Sequence, residues 1–167
     1  ANLNITGLSI CDNQQISDVY TRVHHRASHC ESNQLFKNIV SDSAVVSMTG
    51  KVLVEEGAEK TISQQSNKNI SMSPTAHIYT EPQLEIYADD VKCGHGATVG
   101  QLDESALFYL RQRGIPENEA RMMLMLAFAD DILQRIKLEP LRDRLRSLIE
   151  TRLRKGDTKC SGCTMCK

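Results

Sequence analysis

The sequence predicts a mainly β chain with an α-helical C-terminus, on three observations. Up to about residue 100, short β-branched runs alternate apolar with polar. Asn, Asp, Ser and Gly punctuate those runs in ones and twos, which is turn chemistry. After Gly100 the apolar period changes to that of helices.

In order, the strand segments are 3–10 (Leu3, Ile5, Leu8, Ile10), 16–24, 36–40, 44–48, 51–55, 76–80, 84–88 and 97–99. The turns fall at Asp12-Asn13, Ser32-Asn33, Asp42, Gly50 and Gly57. With no Trp, three Phe and four Tyr, the core has to be built from Val, Ile, Leu, Ala and small polar residues. No Asn-Gly or Asp-Gly hairpin is present, so this pattern fits a β-helix and a sandwich equally. Asp103 then reads as the N-cap of a first helix running to Arg113, with Gly114 beyond its end. Pro116 opens a second helix, with Glu117 and Glu119 in its first turn and an apolar middle, 122–129, that needs covering. Pro140 starts a third, whose Leu141, Leu145, Leu148, Ile149 and Leu153 form one stripe and which Gly156 ends. The expected organisation is therefore 1–100, 101–155 and a Cys-rich flexible tail, 156–167.

The chain has 167 residues, 20 basic and 21 acidic, for a formal charge of -1. That balance argues against a general nucleic-acid binder. Between Lys137 and Lys155 seven basic residues outnumber three acidic ones, which reads as a solvated helix face. There is no apolar run of the roughly 18 residues a membrane span needs and no signal peptide, which points to a soluble, cytoplasmic protein. Ala1 at the start, with a strand pattern beginning at once, suggests a piece of a longer chain. Six cysteines are too few for a disulfide scaffold, so free thiols are expected.

The most informative motif is Cys93-Gly94-His95. In a strand, residues i and i+2 point to one face, so this thiol and imidazole could serve one metal. A closed tetrahedral site needs about four ligands, so the others come from elsewhere or from another chain. The tail Cys160-Ser-Gly-Cys163-Thr-Met-Cys166 has the spacing that opens a bacterial ferredoxin motif but lacks a fourth cysteine. It reads as exposed thiols, with a self-sufficient metal-binding module as the alternative. His24, His25, His29 and Cys30 hold many donors, yet adjacent histidines in a strand diverge, which favours a surface or core role. Asp89 and Asp90 diverge likewise; a carbohydrate-active β-helix using them is the enzyme alternative, short of aromatic sugar platforms. Phosphate-binding and nucleophile-elbow motifs are absent from the sequence, so no enzyme is expected.

The stretch from Glu81 to Asp103, with Leu107-Phe-Tyr-Leu-Arg-Gln-Arg-Gly114, closely resembles the C-terminal region of the SufB/SufD family, on its SufD-like side. His25 with Cys30, residues 34–42, Gly50 and Asn67-Lys68-Asn69 extend the likeness across most of the chain, to about residue 153. The family provides the scaffold of the SUF system for iron-sulfur cluster assembly. The resemblance implies the last coils of a parallel β-helix over 1–100, followed by a small helical domain. It implies that the helical region docks a SufC-type ATPase and that terminal β-helix strands pair with a SufB-type partner. It also implies that His95, with Cys93 less firmly, holds a nascent iron-sulfur cluster, transient and shared with the partner chain. Where SufB-type members carry a sulfur-accepting cysteine after Phe-Tyr, this chain has Leu110, which cannot play that part. A truncated solenoid leaves unpaired strands, so a homodimer is a further expectation.

Overall fold

A computed structural model describes residues 1–155 and divides into two compact units, one ending at Gln101 and one beginning at Leu102. The first is a parallel β-solenoid of about three turns. Strands β1 (Asn2–Cys11), β3 (Glu31–Val40), β5 (Ile62–Ser71) and β7 (Lys92–Gly100) form one sheet in that order. Strands β2 (Ile16–His25), β4 (Val45–Val54) and β6 (His77–Ile86) form the second. All pairings are parallel, so each coil lays one strand on each sheet, and stacked residues lie about 30 positions apart. The β-helix is thus the member of the open pair that exists, and the sandwich is not.

Alternation decides which side chains enter the bore between the sheets. The second sheet turns an apolar face inward: Val46, Val52 and Val54 are fully buried, and Val23, Val52, Val54, Ala58 and Ala88 form one cluster. Each fully buried valine contributes about 1.5–3 kcal/mol by leaving water. The first sheet turns a mixed face inward, with rows Leu3–Ser32–Ser63–Cys93, Ile5–Gln34–Gln65–His95 and Ser9–Asn38–Asn69–Val99. Its buried polar groups bond along and across the bore. Asn38 Nδ2 donates to Asn69 Oδ1 at 2.6 Å, Asn67 Nδ2 to Thr80 Oγ1 at 2.8 Å, and Thr21 Oγ1 to Gln34 Oε1 at 3.1 Å.

Corners are built by residues in left-handed conformation, Asn13, His29, Asp42 and Lys60, stacked in pairs on successive coils. The Asn13 amide donates to Asp42 Oδ2 at 2.9 Å, and the Lys60 amide to the Asp90 carbonyl at 2.7 Å. The polar turn residues therefore cap the next coil as well as their own.

Five points of the expected strand pattern need correction. Segments 44–48 and 51–55 are one strand, β4, which runs straight through Gly50. Segments 76–80 and 84–88 are likewise one strand, β6, crossing Pro82, tolerable because β6 lies at a sheet edge where a missing N–H leaves no bond unmade. Ser32-Asn33 is not a turn but the start of β3, and 97–99 is the end of the longer β7. Finally, β5 had no counterpart in the apolar pattern, because its inward residues are Ser63, Gln65, Asn67 and Asn69.

The second unit follows the sequence closely. Helix α1 (Glu104–Gln112) is capped by Asp103, whose side chain accepts from the Ser105 amide at 2.8 Å, and Gly114 beyond its end has φ +81°. Pro116 is the N-cap of α2 (Glu117–Leu133), and α3 spans Glu139–Lys155. Arg154 pairs with Glu119 at 3.1 Å and Arg146 with Asp130, which runs α3 antiparallel to α2. Phe108, Tyr109, Met123, Leu138, Leu141 and Leu148 are exposed. The proposed stop at Gly156 lies outside the described residues.

Candidate functional site

The site is the N-terminal half of β7, which among the described residues is an edge strand paired with β5 alone. Cys93 stands opposite Ser63 and His95 opposite Gln65, both members of the inward rows. The expected same-face arrangement of thiol and imidazole is therefore present. Gly94 between them faces the other way, where an added Cβ would meet Gln64 Oε1 at 3.2 Å.

The two donors differ in surroundings. Cys93 is half-buried against the Val23–Val52–Ala88 cluster. That burial pushes its thiol pKa up, and a hydrogen bond with the Ser63 backbone pulls the other way. His95 is exposed, since no strand continues the sheet beyond β7 among the described residues. Among those residues, no group of three or more His, Cys, Asp and Glu side chains converges to hold a metal. Cys93 and His95 offer one sulfur and one nitrogen, an incomplete set for a tetrahedral metal.

The other candidates do not converge. His24 faces outward, with Nε2 2.6 Å from Glu55 Oε1, while His25 faces the bore. His25 Nε2 lies 2.9 Å from Ser32 Oγ, which lies 2.8 Å from Ser63 Oγ. Burial first, then the neighbouring His24, lowers the His25 pKa from its ordinary value. His29 and Cys30 sit at a corner, where the His29 amide donates to the Glu59 carbonyl at 2.9 Å. Asp90 is ion-paired with Lys60, and its amide donates to Glu59 Oε2 at 2.8 Å, a corner-stacking role rather than one in a carboxylate pair; Asp89 is exposed. The hydrogen bond and charge of Asp90 raise the Lys60 pKa. Cys160, Cys163 and Cys166 lie outside the described residues. Cys11, Cys30 and Cys93 form no disulfide among the described residues.

Ser63, Gln34 and Gln65, which underlie the site, carry no reactive group, and of the three only Gln34 falls in a stretch that carries the family likeness. A signal existed: Ser32, Gln34, Lys37, Asn38 and Ile39 recur as Ser63, Gln65, Lys68, Asn69 and Ile70. In the next coil the same register positions of the first two hold Cys93 and His95.

Comparison with known proteins gives these positions a setting. Residues 1–128 match the family model described as SUF system FeS cluster assembly, SufBD core domain. The chain is similar to the iron-sulfur cluster assembly protein SufD of Escherichia coli, 40% identical over 156 residues, covering 93% of this chain and 37% of that protein. It is similar also to an iron-sulfur cluster assembly SufBD family protein of Synechocystis, 43% identical over 145 residues, covering 87% of this chain and 32% of the other. A third relative is the chloroplastic protein ABCI7 of Arabidopsis thaliana, 32% identical over 147 residues, 87% of this chain and 31% of that one. The chain thus spans about a third of the length of these relatives. A match over more than three quarters of its residues, on a β-solenoid of this design, means that the chain belongs to the SufBD core family, with SufD among its relatives.

Proposed function

We propose that this chain is a SufD-like part of a SUF scaffold on which iron-sulfur clusters are assembled, and that it is a scaffold rather than an enzyme. The observation that carries the reading is the pairing of Cys93 and His95 on the inward rows of an edge strand, with no third donor beside them among the described residues. A ligand pair that is incomplete and lies at a sheet edge suits a cargo held between chains. The nascent cluster is then a transient guest, completed by donors of a SufB-type partner added beyond β7 and β6. His95 is the better ligand: it is exposed, whereas Cys93 is half-buried with a raised thiol pKa and must lose a proton to bind metal.

The helical unit, with exposed Phe108, Tyr109, Leu141 and Leu148, is the surface we assign to a SufC-type ATPase. Reduced Cys11, Cys30 and Cys93 suit a reducing compartment such as the cytoplasm. No helix among the described residues is long and apolar enough to cross a membrane.

The test is His95→Ala in the full-length scaffold complex, followed by the visible absorbance and iron and sulfide content of the assembled cluster. A marked loss of cluster with the complex still intact is expected. Normal yield sinks the ligand role of His95.

A further inference from the structure

The row that ends on His95 holds two buried amides with unmet bonding capacity. Gln34 is 0% and Gln65 3% exposed, and Gln34 Nε2 and Gln65 Oε1 have no hydrogen-bond partner. Leaving such an atom unpaired in an interior costs about 1–3 kcal/mol. Gln34, Gln65 and His95 occupy the same register position on successive coils. Neighbouring strands of a sheet are about 4.8 Å apart, so side chains in one row reach one another. Gln65 is also held from the opposite sheet: a Cβ on Gly50 would stand 1.6 Å from Gln65 Nε2, so only glycine there leaves space for the amide.

A ligating histidine ordinarily donates its second ring N–H to a carbonyl or carboxylate, which sets the tautomer and aims the metal-binding nitrogen. From these placements we infer that Gln65 is the positioning residue for His95: its side-chain carbonyl accepts one imidazole N–H and leaves the other nitrogen bare at the open edge of β7. This rests on His95 being a ligand in the sense proposed above. A carbonyl oxygen has two lone pairs, so Gln65 Oε1 can accept from Gln34 Nε2 as well. Of the donor chain this implies, the structure holds the first bond, Thr21 Oγ1 to Gln34 Oε1 at 3.1 Å; the bonds from Gln34 Nε2 and from His95 onto Gln65 Oε1 are the inferred ones, which side-chain rotation along the row would close. The repeat explains the design. Two coils carry Gln in this row, and the third replaces it with a side chain that both joins the amide chain and binds a metal.

The inference is tested on the metal-free, 15N-histidine-labelled full-length scaffold, with His95 identified by its absence in His95→Gln. In the unaltered protein the ring nitrogens of neutral His95 should report one dominant tautomer, with a solvent-protected N–H close to the Gln65 side chain in nuclear Overhauser spectra. Gln65→Met keeps the volume and removes the acceptor; it should lose the protected N–H and shift His95 to a mixture of tautomers. Gln65→Glu restores an acceptor and should restore the single tautomer. A tautomer mixture in the unaltered protein, or a single tautomer that persists in Gln65→Met, overturns the inference. Should Gln65→Met fail to fold, the Overhauser contact in the unaltered protein decides, and its absence is equally fatal. Because no cluster is involved, this outcome is separate from the cluster yield of His95→Ala, which judges the ligand role alone.

Discussion

At the scale of single residues, His25 is the group whose protonation the fold opposes. It faces the bore beside Ser32, and burial, with His24 next to it, depresses its pKa. A histidine whose folded pKa is below its unfolded value of about 6.5 is held neutral by the fold. Its contribution is therefore full above about pH 6.5 and is lost as pH falls from there through the lowered folded value. Urea unfolding midpoints should drop between about pH 7.5 and pH 5. In His25→Gln, which keeps a polar group for Ser32 but cannot titrate in this range, the drop should be smaller; an equal drop would assign the pH sensitivity to other groups.

Elements add constraints that no single residue announces. Strand β4 carries Gly50 at its middle because β5 sends Gln65 across the bore against it. Gly50→Ala should cost about 1–3 kcal/mol through overpacking. In a Gln65→Ala background the cost should shrink, and a double-mutant cycle of urea unfolding measures that coupling. Additive effects would show that the two do not meet. The same pair explains where sequence reading fell short. Helices α1 and α2 were legible because Asp103, Gly114 and Pro116 act locally, within a turn of the residues they cap. Strand β5 was not, since its inward residues are polar and their burial is decided by the opposite sheet, through partners such as Thr80, 13 positions from Asn67. Gly50 read as a turn for the same reason: its cause is a side chain in another strand. Cys93 and His95 were legible as a pair because strand parity alone puts them on one face. Gln65 was hidden because an amide in a strand signals nothing until its row is known.

Over the whole molecule, the first unit is a stack in which each coil is templated by the one before, with strands of nine or ten residues and no bulge in the register. Such a stack has a reading frame. Adding one residue within β5, for instance after Ser66, exchanges its two faces downstream: Lys68 turns into the bore and Asn69 out of it. The same addition at the exposed corner beside Gly57, where the chain already turns with φ +81°, leaves every row intact. Insertion after Ser66 should abolish soluble folded protein, while insertion after Glu56 should leave the circular dichroism spectrum unchanged and lower the melting temperature modestly; similar damage from both would deny the frame. Length in this family can therefore change cheaply at corners or by whole coils, and hardly at all by single residues within a strand.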